Sequence, residues 1–167
     1  MIQELRVNET ELLLRWFDQQ RAHAIGILDG LSDEELRRPV LQSGWSCLGM
    51  IGHLEGLERF WFRHVVLGDV SATSAVPQDI EWQVDPAVPA AAVFASYRSE
   101  IARSNEIIRA TPLDAPPAWW PDFFGEWRLH NLWEILLHTM TETGTHAGHL
   151  DAARELIDGR QWYVLEV

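Results

Sequence analysis

The sequence contains a single cysteine, Cys47, among its 167 residues. One thiol cannot form an internal disulfide, so the chain is typical of a protein from a reducing compartment, and we expect it in the cytoplasm. We interpret Cys47 as a core residue, because no base lies near it in the sequence. A chain of this length can bury a sizeable core, and we predict one domain over residues 1–167.

Positive charge is also scarce. The sequence has 13 basic residues against 25 acidic ones and a formal net charge of -12. A surface of this sign repels phosphate backbones and anionic lipids, which argues against nucleic acid and membranes as partners. No apolar run reaches the ~20 residues that a membrane span needs. The first residues lack the basic and then apolar pattern of a signal peptide. The expected partners are therefore small molecules.

Apolar residues recur at helical spacing in four long segments, and no segment alternates long enough to indicate a sheet. We predict an all-α fold, a four-helix bundle with long crossover connections. Asparagines at positions 8 and 131 are suited to cap the first and last helices, and glycines at 30, 68 and 159 are suited to end helices. The predicted long helices run from Asn8 to Gly30, Ser46 to Leu67, Pro89 to Ala110 and Asn131 to Asp158.

The last of these helices carries an unusual polar stripe in the sequence "LLHTMTETGTHAGHLDAARE". His138, Glu142 and His146 are spaced four residues apart, and His149 follows three later, so all four lie within roughly 80° around the helix axis. Apolar residues interleave with them, which favours a stripe that faces the bundle core, where such proteins hold metals. His138 and His146 are about 12 Å apart along the axis, too far for one ion. The possible ligand pairs are therefore His138/Glu142, Glu142/His146 and His146/His149.

The second long helix offers a further ligand, His53, in an otherwise apolar neighbourhood. Glycines within helices lower stability by up to about 1 kcal/mol relative to alanine. We therefore interpret the helix glycines as sites where the second and fourth helices approach closely around a metal; they are Gly49, Gly52 and Gly56 on one helix and Gly144 and Gly148 on the other. The alternatives are a core histidine at position 53 and an ordinary surface pair of Glu142 with His146.

Two segments carry a resemblance to a known family: "LDGLSDEELRRPVLQSGWSCLGMIGHLEGLERFWF" and "LLHTMTETGTHAGHLDAARELIDG". They resemble the DinB-like helical metalloenzyme superfamily, in particular its actinobacterial branch related to mycothiol-dependent maleylpyruvate isomerase and thiol S-transferases. The resemblance implies a four-helix bundle and a divalent metal held by His53, Glu142 and His146. Zinc is the expected ion for two histidines and a carboxylate, although nickel and iron accept the same ligands.

The resemblance also implies a reaction. Members of this branch activate a low-molecular-weight thiol, here a mycothiol-like one, for S-transfer or isomerisation on a small electrophile, and the reactive group is the metal-bound thiol or water. His138 and His149 flank the predicted ligands and are expected to be cofactor-binding residues. Two alternatives use the same site. One is a hydrolase, and the other is a non-catalytic metal-binding bundle associated with stress, in which His149 closes the coordination sphere.

Aromatic residues are concentrated outside the helical stripe. Trp45, Trp61, Trp119, Trp120 and Trp127 are suited to line an apolar substrate cavity, and core packing or a subunit interface would explain them equally well. The segment "PPAWWPDFFGEW", together with Trp162, is costly to leave exposed to water. We therefore expect a homodimer that buries this surface.

Overall fold

The structure, a computed structural model, describes residues 8–69 and 82–162. All regular structure in these ranges is helical, which confirms the predicted all-α class. In this part of the chain the α-helices span, in order, Glu9–Gly26 (α1), Asp33–Arg37 (α2), Cys47–Glu58 (α3), Ala90–Ala110 (α4) and Leu132–Asp158 (α5). A short 3-10 helix, Asp122–Phe124, interrupts the connection before α5. The predicted loop between residues 69 and 89 lies mostly outside the described residues.

Side-chain caps fix the helix ends that the sequence predicted. The Asn8 side chain accepts a hydrogen bond from the Glu11 amide at 3.3 Å, and Asn131 accepts one from the Glu134 amide at 2.9 Å. Both bonds satisfy amides that the first helical turn leaves without partners. At the other end of α5, Gly159 adopts a left-handed φ of 81°, which residues with a Cβ avoid. Helix α1 ends at Gly26, four residues before the predicted Gly30.

The second long helix is not uniform. It is α-helical only to Glu58 and continues as a π-helix over Arg59–Val66, before Gly68 ends it with a φ of 71°. The wider turn brings Trp61, Phe62, Val65 and Val66 into the core. Helical periodicity in the sequence cannot distinguish the two helix types over so short a stretch.

The helices pack as a bundle in which α5 lies against α1 and α3, while α4 lies against α3. The apolar core forms two clusters, one around Leu54 and Leu150 and the other around Phe17 and Ile135. This packing positions the predicted ligand stripe of α5 next to the His53 side of α3. The assignment of residues 1–167 to one domain stays a prediction.

Candidate metal centre

His53 and His146 come from different helices and meet across the α3–α5 interface. Their ring centroids are 4.8 Å apart, and the rings are inclined at 81°. Two imidazoles bound to one tetrahedral zinc ion at ordinary bond lengths have centroids about 5 Å apart. The spacing therefore fits a pair of ligands that share one ion.

Glu142 lies one helical turn before His146 on α5. Its Oε2 atom is 3.8 Å from His146 Nε2, and its side chain is 42% exposed, against 13% for His146. Within residues 8–69 and 82–162, no group of three or more histidine, cysteine or acidic side chains is arranged to hold a metal ion. The donor types fit a divalent cation, but completing the set requires the exposed carboxylate to rotate towards the two imidazoles.

His149 contacts the other side of the His146 ring. The two Nδ1 atoms are 3.4 Å apart, whereas the Nε2 atom of His146 lies on the Glu142 side. If His146 carries its proton on Nδ1, it donates a hydrogen bond to His149, and its Nε2 lone pair stays available to a metal. His149 is therefore placed to orient His146.

The protonation state of His146 also suits a ligand. Burial lowers its pKa to about 4, and the nearby His53 and His149 contribute in the same direction. At neutral pH the imidazole is uncharged, which is the form that binds metals.

His138 lies in different surroundings from the other stripe residues. Its ring packs edge-on against Trp61, with centroids 5.0 Å apart, and against Trp127 at 5.4 Å. Burial lowers its pKa, and the negative charge of Glu142 partly opposes that shift. The structure therefore groups His146 with His53, Glu142 and His149, while His138 belongs to an aromatic cluster two turns earlier.

The interpretation of the helix glycines is wrong. A Cβ at Gly49 would overlap the Trp82 backbone, and one at Gly144 would meet the Gln20 side chain on α1. Among the described residues, a Cβ at Gly52 would only touch Val84, and one at Gly56 or Gly148 would have no atom within 4 Å apart from the backbone of its own helix. None of the five glycines brings α3 against α5, because the close contacts are with a loop and with α1.

The sequence model of the mycothiol-S-transferase family matches residues 12–159. The chain belongs to this family. Membership implies a transferase that uses mycothiol, and it agrees with the resemblance found in the sequence and with the helical bundle. No curated protein matches the chain. No helix among the described residues is long and apolar enough to span a membrane.

Most of the tryptophans that the sequence suggested as the lining of a substrate cavity pack into the interior of this mycothiol-S-transferase family member. Trp61 is buried, and Trp119 and Trp120 pack against the same core cluster. Trp45 lies beside the site, with its ring 6.3 Å from that of His149. Trp127 remains partly exposed at the edge of the aromatic cluster. Core packing therefore accounts for Trp61, Trp119 and Trp120, whereas Trp45 packs against the core and also lies next to His149.

Sequence reasoning missed one aromatic neighbour of the site, Trp82. Its indole stacks on the His53 ring, with centroids 4.2 Å apart and planes inclined at 27°. Trp82 lies in a loop, where no periodicity links it to a helix face. The sequence feature nearest to this contact was Gly49. The sequence predicted a close approach of Gly49 to the fourth long helix, whereas Gly49 lies against the Trp82 main chain.

A groove elsewhere on the surface of this family member does not coincide with the site. It encloses about 570 Å³ between α1 and α5 and is lined by Trp16, Gln20, Met140, Thr141, Gly144 and Thr145. None of these residues is a predicted ligand. The chemistry of the histidine pair, rather than the size of a surface groove, identifies the candidate centre.

Proposed function

We propose that this chain is a divalent-metal-dependent S-transferase that joins mycothiol to a small electrophile. The observation that carries the proposal is the His53–His146 pair, with ring centroids 4.8 Å apart at the interface of two helices. Glu142 is the third proposed ligand, and zinc is the proposed ion, because two histidines and one carboxylate are a catalytic zinc set.

A bound zinc ion would supply positive charge that favours the thiolate form of a thiol. Three side chains around the site have properties that suit the binding of such an ion. His146 presents a neutral imidazole, His149 orients it from the Nδ1 side, and Glu142 contributes a single negative charge. His149 is thus proposed as an orienting residue that leaves the fourth position open, which favours catalysis over a closed structural site.

The sulfur that reacts must come from a cosubstrate. The chain's only thiol, Cys47, is 1% exposed, and burial raises its pKa to about 11. In the transfer, the thiol loses its proton to solvent and the sulfur forms a bond to an electrophilic carbon. The leaving group departs with its bonding electron pair or, in an addition, the π electron pair moves to the adjacent carbon, which takes up a proton from solvent. An isomerisation would follow if the adduct later expels the same thiol.

The ligand assignment is tested by the metal content of purified variants. We expect His146→Ala to lower the zinc content at least tenfold, since losing even an outer partner of a ligand costs about 10–100-fold in affinity. His23→Ala is the control, because His23 instead pairs with Asp151 at 2.7 Å. A stoichiometric zinc content in the His146 variant would contradict the assignment.

The reaction is tested by following consumption of mycothiol with a panel of small electrophiles. We expect consumption by the zinc-loaded protein, and its loss in His146→Ala. Metal binding without thiol consumption would refute the transferase and leave the two alternatives that use the same residues, a hydrolase or a non-catalytic metal-binding bundle.

We further propose that the protein acts as a cytoplasmic homodimer. The aromatic surface that supports this is smaller than the sequence indicated. Trp162 stacks on His23 of the same chain, with ring centroids 4.8 Å apart, and so is not offered to a second copy. What remains exposed is a patch formed by Phe123 and Trp127.

A further inference from the structure

The backbone of the loop before α4 rests directly on α3 at one position. A Cβ atom added to Gly49 would overlap the carbonyl oxygen of Trp82 and would lie 2.6 Å from its carbonyl carbon. These atoms belong to the main chain, so a small rotation of a side chain could not relieve the overlap. Gly49 has ordinary helical geometry, since the glycines with positive φ lie elsewhere. Its lack of a side chain is therefore required by the close approach and not by its own conformation.

This contact places the main chain of Trp82 against the face of α3 that carries His53. His53 follows Gly49 by four residues, and so the two share one face of α3. The Trp82 main chain lies against Gly49, and its indole stacks on the His53 imidazole, with centroids 4.2 Å apart. The same indole lies edge-on to His146, with centroids 6.0 Å apart and planes inclined at 61°. One aromatic side chain thus contacts both imidazoles of the candidate centre.

A stacked indole has two effects on His53. It restricts rotation of the imidazole about its Cβ–Cγ bond, which holds the His53 ring at its inclination of 81° to the His146 ring. It also excludes water from one ring face. Outer contacts that fix the orientation of a metal-binding histidine are known to tune metal affinity, although most of them act through hydrogen bonds.

We propose that Trp82, whose main chain packs against Gly49, is a positioning residue that orients His53 for metal binding. The inference rests on the proposed metal function, because it assigns Trp82 a role towards the His53–His146 pair. It does not require Trp82 to touch mycothiol, the electrophile or the ion.

The test compares matched glycine variants on the same helix. Gly49→Ala must displace Trp82, whereas Gly56→Ala adds the same methyl group where, apart from the backbone of its own helix, no atom of the described residues lies within 4 Å. Zinc affinity is measured by competition with a chromogenic chelator, without any enzymatic assay. We expect Gly49→Ala to weaken zinc binding about 10–100-fold and Gly56→Ala to change it less than twofold.

Two substitutions of Trp82 separate positioning from a general loss of folding. Trp82→Ala removes the stack and should weaken zinc binding as Gly49→Ala does, while Trp82→Phe keeps an aromatic ring and should restore most of the affinity. The histidine ring resonances of the metal-free protein, assigned with His53→Gln, should shift in Gly49→Ala and Trp82→Ala but not in Gly56→Ala. These variants remain informative if Gly49→Ala does not fold.

The outcomes distinguish this inference from the function on which it rests. Wild-type zinc affinity in both Gly49→Ala and Trp82→Ala would overturn the positioning role and leave the metal site intact. Equal losses in Trp82→Ala and Trp82→Phe would also overturn it, since the aromatic ring would then have no effect. A wild-type protein that binds no zinc would refute the proposed metal function, and the positioning role with it.

Discussion

Cys47 shows how burial alters the chemistry of a single residue. The thiol lies at the start of α3 with 1% of its surface exposed, and burial raises its pKa to about 11. Because only the thiolate is nucleophilic, a thiol of this kind is almost inert at neutral pH. Cys47 is therefore a packing residue, as the sequence indicated, and not a second source of sulfur in the reaction.

We expect iodoacetamide to modify Cys47 in the native protein at pH 8 at least about 100-fold more slowly than in the protein unfolded by guanidinium chloride. Mass spectrometry of the alkylated chain measures both rates. Because the folded pKa lies above the unfolded value of about 8.5, the neutral thiol contributes stability below that pH and loses it as the pH rises towards 11. Equal alkylation rates in the two states would contradict the buried placement.

At the scale of the helices, a buried ion pair joins α1 to α3. Arg21 donates two hydrogen bonds to the Glu58 carboxylate, at 2.9 and 2.6 Å, and both side chains are buried. Along each helix, the pair lies between residues of the two apolar clusters. On α1, for example, Phe17 of one cluster precedes Arg21, and Ala24 of the other cluster follows it. We expect this pair to specify how the two helices align, because sliding would leave the buried Glu58 carboxylate without Arg21.

We expect Arg21→Met to lower the free energy of unfolding by about 3–5 kcal/mol, because it leaves the Glu58 carboxylate buried without its partner. The double variant Arg21→Met/Glu58→Leu should be markedly more stable than Arg21→Met alone, since it removes both charges. Urea titration followed by circular dichroism measures all three proteins.

The control for this prediction is an exposed pair on α4, Arg103 with Glu106, whose closest atoms are 3.0 Å apart. Arg103→Ala should cost no more than about 1 kcal/mol, because water screens such pairs. If Arg21→Met cost as little as the control, the buried pair would have no part in aligning α1 with α3.

At the scale of the whole molecule, the connection between α4 and α5 covers much of its own aromatic surface. Main-chain hydrogen bonds from Ala118 to Val66 and from Trp119 to Val65 attach it to the end of the π-helix. Phe123 remains 74% exposed and Trp127 43% exposed at the edge of this packed region. This patch is the surface that we propose a second copy covers.

We expect light scattering at high micromolar concentration to give twice the chain mass of 19.1 kDa. Phe123→Ser should shift the protein towards monomer, because it removes the most exposed ring of the patch. Leu156→Ser, at an exposed position on α5, is the control and should leave the mass unchanged. The formal charge of -12 on each chain opposes association at low salt, so the measurement belongs at physiological ionic strength. A monomer mass for the wild type would contradict the dimer.

The sequence by itself determined the features that depend on neighbours along the chain. Periodicity and side-chain caps predicted α5 from Asn131 to Gly159 to within a residue, because both act over three or four positions. The same spacing placed Glu142 and His146 on one face of that helix. The π-helix after Glu58 was not predicted, because helical periodicity does not distinguish the two helix types over so short a stretch.

Only the tertiary structure decided which side chains meet across elements. In it, His53 contacts His146, the Trp82 main chain packs against Gly49, and Arg21 pairs with Glu58. These contacts join residues far apart in the sequence, and their distances depend on how whole helices and loops pack. A pattern read along one helix cannot measure the gap to the next one, and that gap determines whether two imidazoles can share one ion.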